Sequence, residues 1–541
     1  MSDSKSGVVS TYGYDPSGQV GSIVTSDGQT LSFGFGVDGP LVMSRTWSGL
    51  ATGSLTYTHD DFFRRGSRAV NGGTPLNVLY DPDGLFAGTS GLAGFSVTRD
   101  YEGKNGLVTG TTLGSVSDVY TYNGFGELKT YASSFGATAL YTLQIDARDG
   151  LGRITGLTET LSGQSHTWGY AYDDHGELAS ATEDGAMTAF GYDPNGNRLT
   201  AGSASSTYDA PDRLLTSAGT TYTYTDNGDL LSEVTASGTE AFAYDLQSSL
   251  RSVTLPSGDT VSYVIDGERH RVERTWTHGT QKVVQGFLYD DALRIAAELD
   301  ASGNVVSTFG YGTKPNVPEL MVRGGKTYRI VTDWRGSVRA IVDSQAGAVV
   351  QSLDYDAWGN ATVSDTSCAS GAVCALFQPF GFAGGMFDRE TGLVRFGARD
   401  YDAGVGRWTQ KDPIRFGGGQ SNLYVYVNDD PINGIDPSGR ISGQCYQSIV
   451  AGCEQGCASS VLPGCVSICV AYAVIDEQFG SGGYCGPGYR SPYASCQGET
   501  DYFAYSLCCI NVCAGDLECE AACEALYVPP APPPPPPNAC N

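Results

Sequence analysis

The first 440 residues of this 541-residue sequence contain only two cysteines, and the whole sequence has few positive charges and no long apolar run. Lys and Arg total 32 against 59 Asp and Glu, which gives a formal net charge of −27. Binding to nucleic acid or to an anionic membrane needs clustered positive charge, so neither partner is expected. The longest apolar stretch, 461–475, is too short for a membrane span and contains Pro463, so no transmembrane segment is predicted.

No secretory signal is predicted either, because residues 1–20 (MSDSKSGVVSTYGYDPSGQV) contain no apolar core. The abundant residues include 73 Gly and 32 Tyr. Glycine is typical of turns and tyrosine of strands, so this composition favours β structure with many turns. We therefore predict a soluble, all-β protein.

A short motif recurs along the first part of the chain: aromatic, any residue, Tyr, Asp, two residues, Gly, any residue, apolar. It is read in YGYDPSGQV (12–20), YTYNGFGEL (120–128), YAYDDHGEL (170–178), FGYDPNGNRL (190–199) and YTYTDNGDL (222–230). Weaker copies are IDARDGLGRI (145–154), TYDAPDRLL (207–215) and FAYDLQSSL (242–250), and with them included, successive copies from Gly126 onward lie 16 to 26 residues apart. A period in this range predicts a repeat architecture.

Each copy of the motif describes a hairpin. The two aromatic residues lie on one face of a strand, the Asp can hydrogen bond the turn backbone, and the Gly supplies a positive φ. One hairpin cannot bury its face alone, so stacked hairpins are expected to form one continuous sheet. An ordinary barrel or propeller is the alternative, but propeller blades need a longer and more even period.

These motifs resemble the YD repeats of the Rhs family, of the C component of bacterial Tc toxins, and of teneurins. The resemblance covers about residues 10–440 and implies a β-strip that spirals into a hollow shell. Residues 327–440 further resemble the Rhs repeat-associated core. The matching stretches are YRIVTDWRGSVRAIVDSQAGAVVQSLDYDAWGN (328–360), PFGFAGGMFDRETGLVRFGARDYDAGVGRWTQKDPI (379–414) and NLYVYVNDDPINGIDPSG (422–439).

In this family the core cleaves the chain just after its second Asp-Pro-x-Gly motif, by chemistry like that of aspartyl proteases. The resemblance maps the two carboxylates onto Asp412 and Asp436, the family arginine onto Arg399, and the cleaved bond onto Arg440 and Ile441. Two carboxylates held close together cannot both ionise easily. The ionised one can act as general base on a water while the protonated one polarises the scissile carbonyl, and a nearby arginine fixes the pair.

The segment departs from the family at three places. Arg415 stands where the family has Gly, Arg440 stands where it has Leu, and the spacer within 416–421 is one residue longer. A strand pair around 422–428 is expected to return the second carboxylate to the first. The alternative interpretation is that the two Asp-Pro dipeptides only begin turns and that Arg399 only forms an ion pair on a strand face.

The tail, residues 441–541, carries 13 of the 15 cysteines, nine acidic residues, one basic residue and no histidine. This argues against a His-metal nuclease and against a zinc deaminase with a His ligand. Cys-x3-Cys spacing places two thiols on one helix face, which favours helices joined by disulfides in an oxidising compartment. The disulfide candidates are Cys453, Cys457, Cys465, Cys469, Cys509, Cys513, Cys519 and Cys523. Metal–thiolate sites are the alternative, although the usual Cys-x2-Cys spacing is lacking.

We thus predict four parts: a YD-repeat β-shell (1–326), the core with its self-cleavage site (327–440), a cysteine-rich helical passenger (441–528) and a proline-rich tail (529–541). The resemblance implies a bacterial Rhs-type toxin that is secreted or delivered outside the cell. The shell would enclose its own passenger, with an immunity protein or a secretion component as further partner, and neither cofactor nor metal is expected. The alternatives are a non-catalytic secreted or cell-surface adhesion scaffold and a displaced Rhs gene fragment.

Overall fold

The computed structural model describes residues 8–36, 39, 41–102, 106–368, 372–418 and 420–440, together with the backbone of residues 2–3. The helices, disulfides and polyproline segment predicted within 441–541 lie outside the described residues. Among the described elements, no helix has the length and apolar character needed to cross a membrane.

Thirty-five strands form one continuous antiparallel sheet, in which each strand pairs with the next one along the chain. We call this sheet the repeat strip. Its first half comprises β1 Ser2–Asp3, β2 Ser10–Tyr14, β3 Val20–Thr25, β4 Thr30–Phe35, β5 Val42–Ser48, β6 Gly53–His59, β7 Arg65–Val70, β8 Leu76–Tyr80, β9 Phe86–Gly91, β10 Phe95–Asp100, β11 Leu107–Leu113, β12 Val116–Tyr122, β13 Leu128–Phe135, β14 Thr138–Arg148, β15 Ile154–Leu161, β16 Gln164–Tyr172, β17 Leu178–Glu183 and β18 Ala186–Tyr192.

The second half of the repeat strip continues the same pairing without a break across residue 326. It comprises β19 Arg198–Ala201, β20 Ala204–Tyr208, β21 Leu214–Ser217, β22 Thr220–Tyr224, β23 Leu230–Thr235, β24 Gly238–Tyr244, β25 Leu250–Thr254, β26 Thr260–Ile265, β27 Arg271–His278, β28 Gln281–Tyr289, β29 Ile295–Leu299, β30 Val305–Gly310, β31 Leu320–Arg323, β32 Lys326–Thr332, β33 Val338–Asp343, β34 Val349–Tyr355 and β35 Ala361–Asp365. This confirms the predicted all-β strip of hairpins.

The motif aspartate fixes each hairpin turn through one carboxylate oxygen. Asp149 Oδ1 accepts hydrogen bonds from the backbone nitrogens of Leu151 (2.9 Å) and Arg153 (3.0 Å). The glycine between them, Gly152, has φ 81°, which a residue with a side chain adopts only at a cost. The Asp-x-x-Gly part of the motif therefore closes a turn of defined geometry.

The motif tyrosine joins successive hairpins. Tyr172 donates its hydroxyl hydrogen bond to the carbonyl of Ile154 (2.6 Å), and Tyr192 does the same to Leu178 (2.8 Å). In each case the acceptor lies at the start of the strand that follows the preceding motif turn. The repeat therefore encodes its own attachment to its neighbour, in addition to the sheet hydrogen bonds.

Contacts between distant strands show that the repeat strip winds back on itself. Trp47 Nε1 donates to Asp266 Oδ2 at 3.1 Å, across 219 residues of sequence. Arg68 Nη1 lies 2.9 Å from Asp290 Oδ2, across 222 residues. Because these separations are nearly equal, strands roughly one winding apart face each other, as expected for a spiralling strip.

After β35 the chain enters a compact stretch, residues 379–440, that we call the closing segment. It contains the small sheet β36 Met386–Phe387, β37 Leu393–Phe396, β38 Arg399–Asp402 and β39 Arg407–Trp408, and the 3-10 turns Phe382–Gly384, Arg415–Gly418 and Val427–Asp429. Aromatic rings pack around Tyr426, with Tyr401 at 4.4 Å and Trp408 at 5.3 Å between ring centroids. This cluster belongs to the same hydrophobic core as strands of the repeat strip.

The strand pair predicted around 422–428 is not formed, and the prediction was wrong in this respect. The segment makes a single isolated bridge, between Arg407 and Val425, and then turns through Val427–Asp429 with positive φ angles. Its alternate Tyr and Val residues do not divide between a buried and an exposed face, because all of them are buried. A strand with one buried and one solvent-exposed face is therefore not required to bury these side chains.

A disulfide joins Cys368 and Cys374 ahead of the closing segment, with 6.3 Å between their Cα atoms. The sequence analysis did not predict this pair. Its spacing of six residues carries no helix or zinc signal, so only the loop geometry reveals it.

Candidate functional site

Two aspartate turns of the closing segment each keep one of the two backbone hydrogen bonds that hold a repeat turn. Asp412 Oδ1 accepts a hydrogen bond from the backbone nitrogen of Ile414 at 2.9 Å. Asp436 Oδ1 accepts from the backbone nitrogen of Arg440 at 3.2 Å and from Ser438 Oγ at 2.9 Å. Each turn therefore occupies one carboxylate oxygen and leaves the other, Oδ2, to face another part of the molecule.

Both remaining oxygens converge on Arg399, the first residue of β38. Its Nη2 lies 2.9 Å from Asp412 Oδ2 and 3.1 Å from Asp436 Oδ2. The side chains are nearly inaccessible, with exposed fractions of 2%, 7% and 1% for Arg399, Asp412 and Asp436. The structure thus brings together the three residues that the sequence singled out, although they span 37 positions.

The guanidinium of Arg399 is held on more than one side. Its Nε donates to the carbonyl of Gly439 at 2.5 Å, and its charged centre lies 4.0 Å from the ring centroid of Trp408. An arginine fixed by a carbonyl and an aromatic face has little freedom to follow a moving carboxylate. Arg399 therefore fixes both aspartates relative to the turn that ends at Arg440.

Burial raises the pKa of Asp412 to about 6, and the charge of Arg399 only partly offsets this effect. The negative charge of Asp436 raises the pKa of Asp412 further. The Asp412 carboxyl therefore changes its charge near pH 6 and is largely protonated at mildly acidic pH. A protonated carboxyl beside a charged carboxylate is the arrangement that aspartyl-type hydrolysis requires.

The turn 436–440 is seated against the strand pair that carries Arg399. The backbone nitrogen of Ala398 donates to the carbonyl of Ser438 at 2.9 Å. Gly439 has φ 65°, and a methyl group added to it would lie 2.3 Å from the carbonyl oxygen of Phe396. Only glycine fits there, which gives a physical reason for the glycine in the second Asp-Pro-x-Gly motif.

Gly418 is a site residue that the sequence analysis missed. A methyl group added to it would lie 3.1 Å from Asp412 Oδ2 and 3.2 Å from the carbonyl oxygen of Arg440. Both oxygens therefore lie against the same side of Gly418, so the carbonyl of the predicted scissile bond is close to the Asp412 carboxyl. The run of three glycines at 417–419 was the available signal, but its role depends on a contact that spacing does not reveal.

The two arginines that differ from the family pattern, Arg415 and Arg440, lie in different environments. Arg415 is exposed and has φ 53°, which explains why a glycine suits this position. Arg440 is partly buried, and its backbone nitrogen is hydrogen bonded to the Asp436 turn. Ile441, the other residue of the predicted scissile bond, lies outside the described residues.

A second group of possible ligand residues lies on the surface of the strip. His166, Glu183 and Asp184 bring one ligand atom each within 4.8 Å of one another. His166 Nδ1 lies 2.9 Å from Asp184 Oδ2, and Asp184 Oδ1 accepts a hydrogen bond from the backbone nitrogen of Thr167 at 2.7 Å. These hydrogen bonds account for the arrangement as part of a surface turn.

A single meander of Tyr–Asp hairpins that winds back on itself, followed by a closing segment with paired aspartates, defines a YD-repeat shell protein. The family model described as the teneurin YD-shell matches residues 4–432. The chain therefore belongs to the teneurin YD-shell family.

Individual relatives are much longer than this chain, which matches only a small part of each of them. Teneurin-3 of Mus musculus is 26% identical over 442 residues, covering 76% of this chain and 15% of that protein. The tRNA3(Ser)-specific nuclease WapA of Bacillus spizizenii is 29% identical over 271 residues, covering 48% of this chain and 11% of that protein. The chain thus spans about 15% or less of the length of these relatives.

The solved structure described as the crystal structure of TcdB2-TccC3-Cdc42 is similar in fold. It aligns with a TM-score of 0.55 at 14% identity, covering 80% of this chain and 26% of that chain. At this identity the likeness establishes the YD-shell fold only, and any chemistry has to be argued from the residues of this chain.

Proposed function

We propose that this chain is a toxin-type YD-shell protein that severs its own C-terminal segment between Arg440 and Ile441. The observation that carries the proposal is the convergence of Asp412 and Asp436 on one buried arginine, with the Arg440 carbonyl oxygen on the same side of Gly418 as the Asp412 carboxyl. The similarity to WapA, whose name describes a tRNA nuclease, supports the toxin class. Residues 441–541 would be the passenger, carried by the shell until the cut frees it.

The proposed reaction is a hydrolysis by water. Asp436, ionised, removes a proton from a water whose oxygen attacks the carbonyl carbon of Arg440. Asp412, protonated, donates a hydrogen bond to the carbonyl oxygen as negative charge develops there. The proton that Asp436 took from water then passes to the nitrogen of Ile441 as the carbon–nitrogen bond breaks. This gives a carboxylic acid at Arg440 and an amine at Ile441, and the acid then loses its proton to the amine or to solvent.

The placement of the groups supports these roles. Asp412 is the carboxyl with a pKa raised to about 6, and its Oδ2 lies on the same side of Gly418 as the Arg440 carbonyl oxygen. Asp436 sits in the turn that ends at Arg440 and receives a backbone hydrogen bond from that residue. Arg399 contacts both carboxylates, so it positions them without entering the bond changes.

The test is the fate of freshly synthesised protein. The full chain and its Asp412→Asn and Asp436→Asn variants are translated in vitro, sampled over time and separated on a denaturing gel. The wild-type chain is expected to split into two bands, and each variant is expected to stay intact. Asp149→Asn is the matched control, because Asp149 holds a repeat turn by accepting backbone hydrogen bonds from Leu151 and Arg153 and should not affect cleavage.

A wild-type chain that stays at full length at every pH between about 4 and 8, the range in which Asp412 changes charge, would overturn the proposal. The result would then favour a scaffold that keeps its tail attached. Teneurin-3 matches a larger share of this chain than WapA does, which is the observation that favours this second candidate. Cleavage that persists in both aspartate variants would instead place the chemistry elsewhere.

A further inference from the structure

A pocket of about 230 Å³ lies where the motif turn of residues 193–197 meets the closing segment near 420–429. Its walls carry mostly oxygen-bearing side chains. Those that matter here are Glu177, Asp193, Asn195, Ser421, Asn428 and Asp429. None of the residues used in the self-cleavage proposal lines this pocket.

One carboxylate in this pocket is buried without a hydrogen-bond partner. Asp429 is 3% exposed, and its Oδ2 makes no hydrogen bond to any part of the chain that the structure describes. A methyl group added to Gly196 would lie 3.2 Å from Asp429 Oδ2 and 3.4 Å from Glu177 Oε1. Two carboxylate oxygens from different parts of the fold therefore face the same side of Gly196, in the pocket wall.

The nearest arginines do not neutralise this pair by contact. Arg407 donates to Asn197 Oδ1 at 2.9 Å and to the carbonyl of Asp212 at 2.7 Å. Arg198 lies over the ring of Trp358, 4.3 Å from its centroid. Both arginines act on Asp429 only through longer-range charge, since their hydrogen-bonding groups are directed elsewhere.

The turn that carries Glu127 is equivalent to the turn that carries Glu177, and comparing them shows how the environment of Glu177 differs. Glu127 occupies the same position of its motif as Glu177, and its Oε2 accepts a hydrogen bond from Asn123 Nδ2 at 2.6 Å and lies 3.5 Å from Arg148 Nε. In the turn of Glu177 the place of Asn123 is taken by Asp173, which adds a second negative charge. Glu177 therefore lacks both the amide donor and the arginine that stabilise Glu127.

We propose that this pocket binds one divalent cation of the calcium type, with Asp429 Oδ2 and Glu177 Oε1 as its protein carboxylate ligands. All the candidate ligands are hard oxygen atoms, and Ca²⁺ accepts such atoms in irregular sets completed by water, whereas Mg²⁺ demands a nearly ideal octahedron. Hydroxyl and amide oxygens that line the pocket, on Ser421 and Asn195, are available for the remaining positions.

The electrostatics of the pocket agree with this assignment. Burial raises the pKa of Asp429 well above its ordinary range, and burial also raises the pKa of Glu177 to about 7. A divalent cation would offset the charge that makes both carboxylates unfavourable in their ionised forms. The cation would join the repeat strip to the closing segment, a few residues before Asp436.

The experiment is isothermal titration of the full chain with CaCl2, at neutral pH and physiological ionic strength so that diffuse binding to the acidic surface is screened. We expect one saturable site with a Kd of about 10⁻⁴–10⁻³ M, the range of extracellular calcium modules. Asp429→Asn and Glu177→Gln are each expected to weaken binding at least about tenfold, because each removes one charged ligand. Glu127→Gln is the matched control and should leave the Kd unchanged.

The proposal is overturned if the wild-type chain gives no saturable heat, or if the Glu127→Gln variant loses as much affinity as the other two. Should Asp429→Asn fail to fold, Glu177→Gln still decides, because Glu177 lies on a partly exposed turn. The readout is binding and not cleavage. A chain that never cuts itself would therefore leave this result unaffected.

Discussion

The turns of the repeat strip and the turns of the closing segment use the same aspartate in two ways. In the strip, Asp149 Oδ1 accepts hydrogen bonds from the turn backbone, and Oδ2 accepts one from Arg153 Nε of the same turn at 2.7 Å; both side chains are partly exposed. In the closing segment, Asp412 and Asp436 keep the Oδ1 arrangement but send Oδ2 to a single buried arginine.

The difference shows how an aspartate that holds a turn can also become part of a candidate catalytic site. A carboxylate paired within its own exposed turn has little reason to change its protonation. Two carboxylates that share one buried arginine compete for its charge, and one of them, Asp412, has a raised pKa. Burial and a shared partner, rather than a new local motif, separate the two regions.

The largest expected effect comes from removing the shared arginine. Arg399→Gln leaves two buried carboxylates without their cation, and breaking a buried pair in this way costs about 3–5 kcal/mol of stability. Arg153→Gln removes an arginine of the exposed type and is expected to cost less than about 1 kcal/mol. Urea unfolding followed by tryptophan fluorescence measures both, and equal losses in the two variants would remove the distinction between the regions.

A second expected effect is on the pH dependence of stability. Because the folded pKa of Asp412 is about 6 and an unfolded aspartate titrates near about 4, the folded chain retains a proton that the unfolded chain has lost. The contribution of Asp412 to stability should therefore be fully present below about pH 4 and fall by roughly 3 kcal/mol as the pH rises through about 6. The measurement is the difference in unfolding free energy between wild type and Asp412→Asn at several pH values.

The contributions of other buried carboxyls to the unfolding free energy are the same in both proteins and cancel in that difference. The change of the difference with pH therefore reports on Asp412 and the groups around it. The corresponding difference for Asp149→Asn should slope the opposite way, because the pKa of Asp149, despite some burial, is lowered by its bonds to Arg153 and to the turn backbone. A flat Asp412 difference across this range would contradict the assignment of Asp412 as the carboxyl that keeps its proton.

The smallest expected effect concerns backbone conformation. Arg415 has φ 53° at an exposed position of the closing segment, so Arg415→Gly should stabilise the fold by about 1 kcal/mol. Gly126→Ala, at φ 82° in an exposed repeat turn, should destabilise it by a similar amount. Thermal unfolding compares the two, and a loss of stability in Arg415→Gly would show that the arginine side chain has a role of its own.

The sequence was informative where local chemistry decides the structure. The Tyr–Asp motif predicts the hairpin, its turn and the continuous sheet, because each is determined within about ten residues. The resemblance of the closing segment also identified Arg399, Asp412 and Asp436, which the fold brings into contact.

The sequence was not informative where contacts join distant segments. The role of Gly418 depends on the Arg440 carbonyl, and the pocket at Asp429 depends on a turn more than 200 residues earlier. The Tyr/Val alternation before Val427 imitates an exposed strand, yet the segment is buried on all sides. Such features follow from how the strip winds, and winding is set by many weak contacts rather than by one motif.

The most direct measurement is mass spectrometry of the chain synthesised in heavy-oxygen water. Hydrolysis by the aspartate pair predicts one new amino terminus at Ile441 and one heavy oxygen atom in the new carboxylate of Arg440. Neither product should form in Asp412→Asn. An intact wild-type chain, or a cut at any other bond, would contradict the proposal that the paired aspartates form a self-cleavage site.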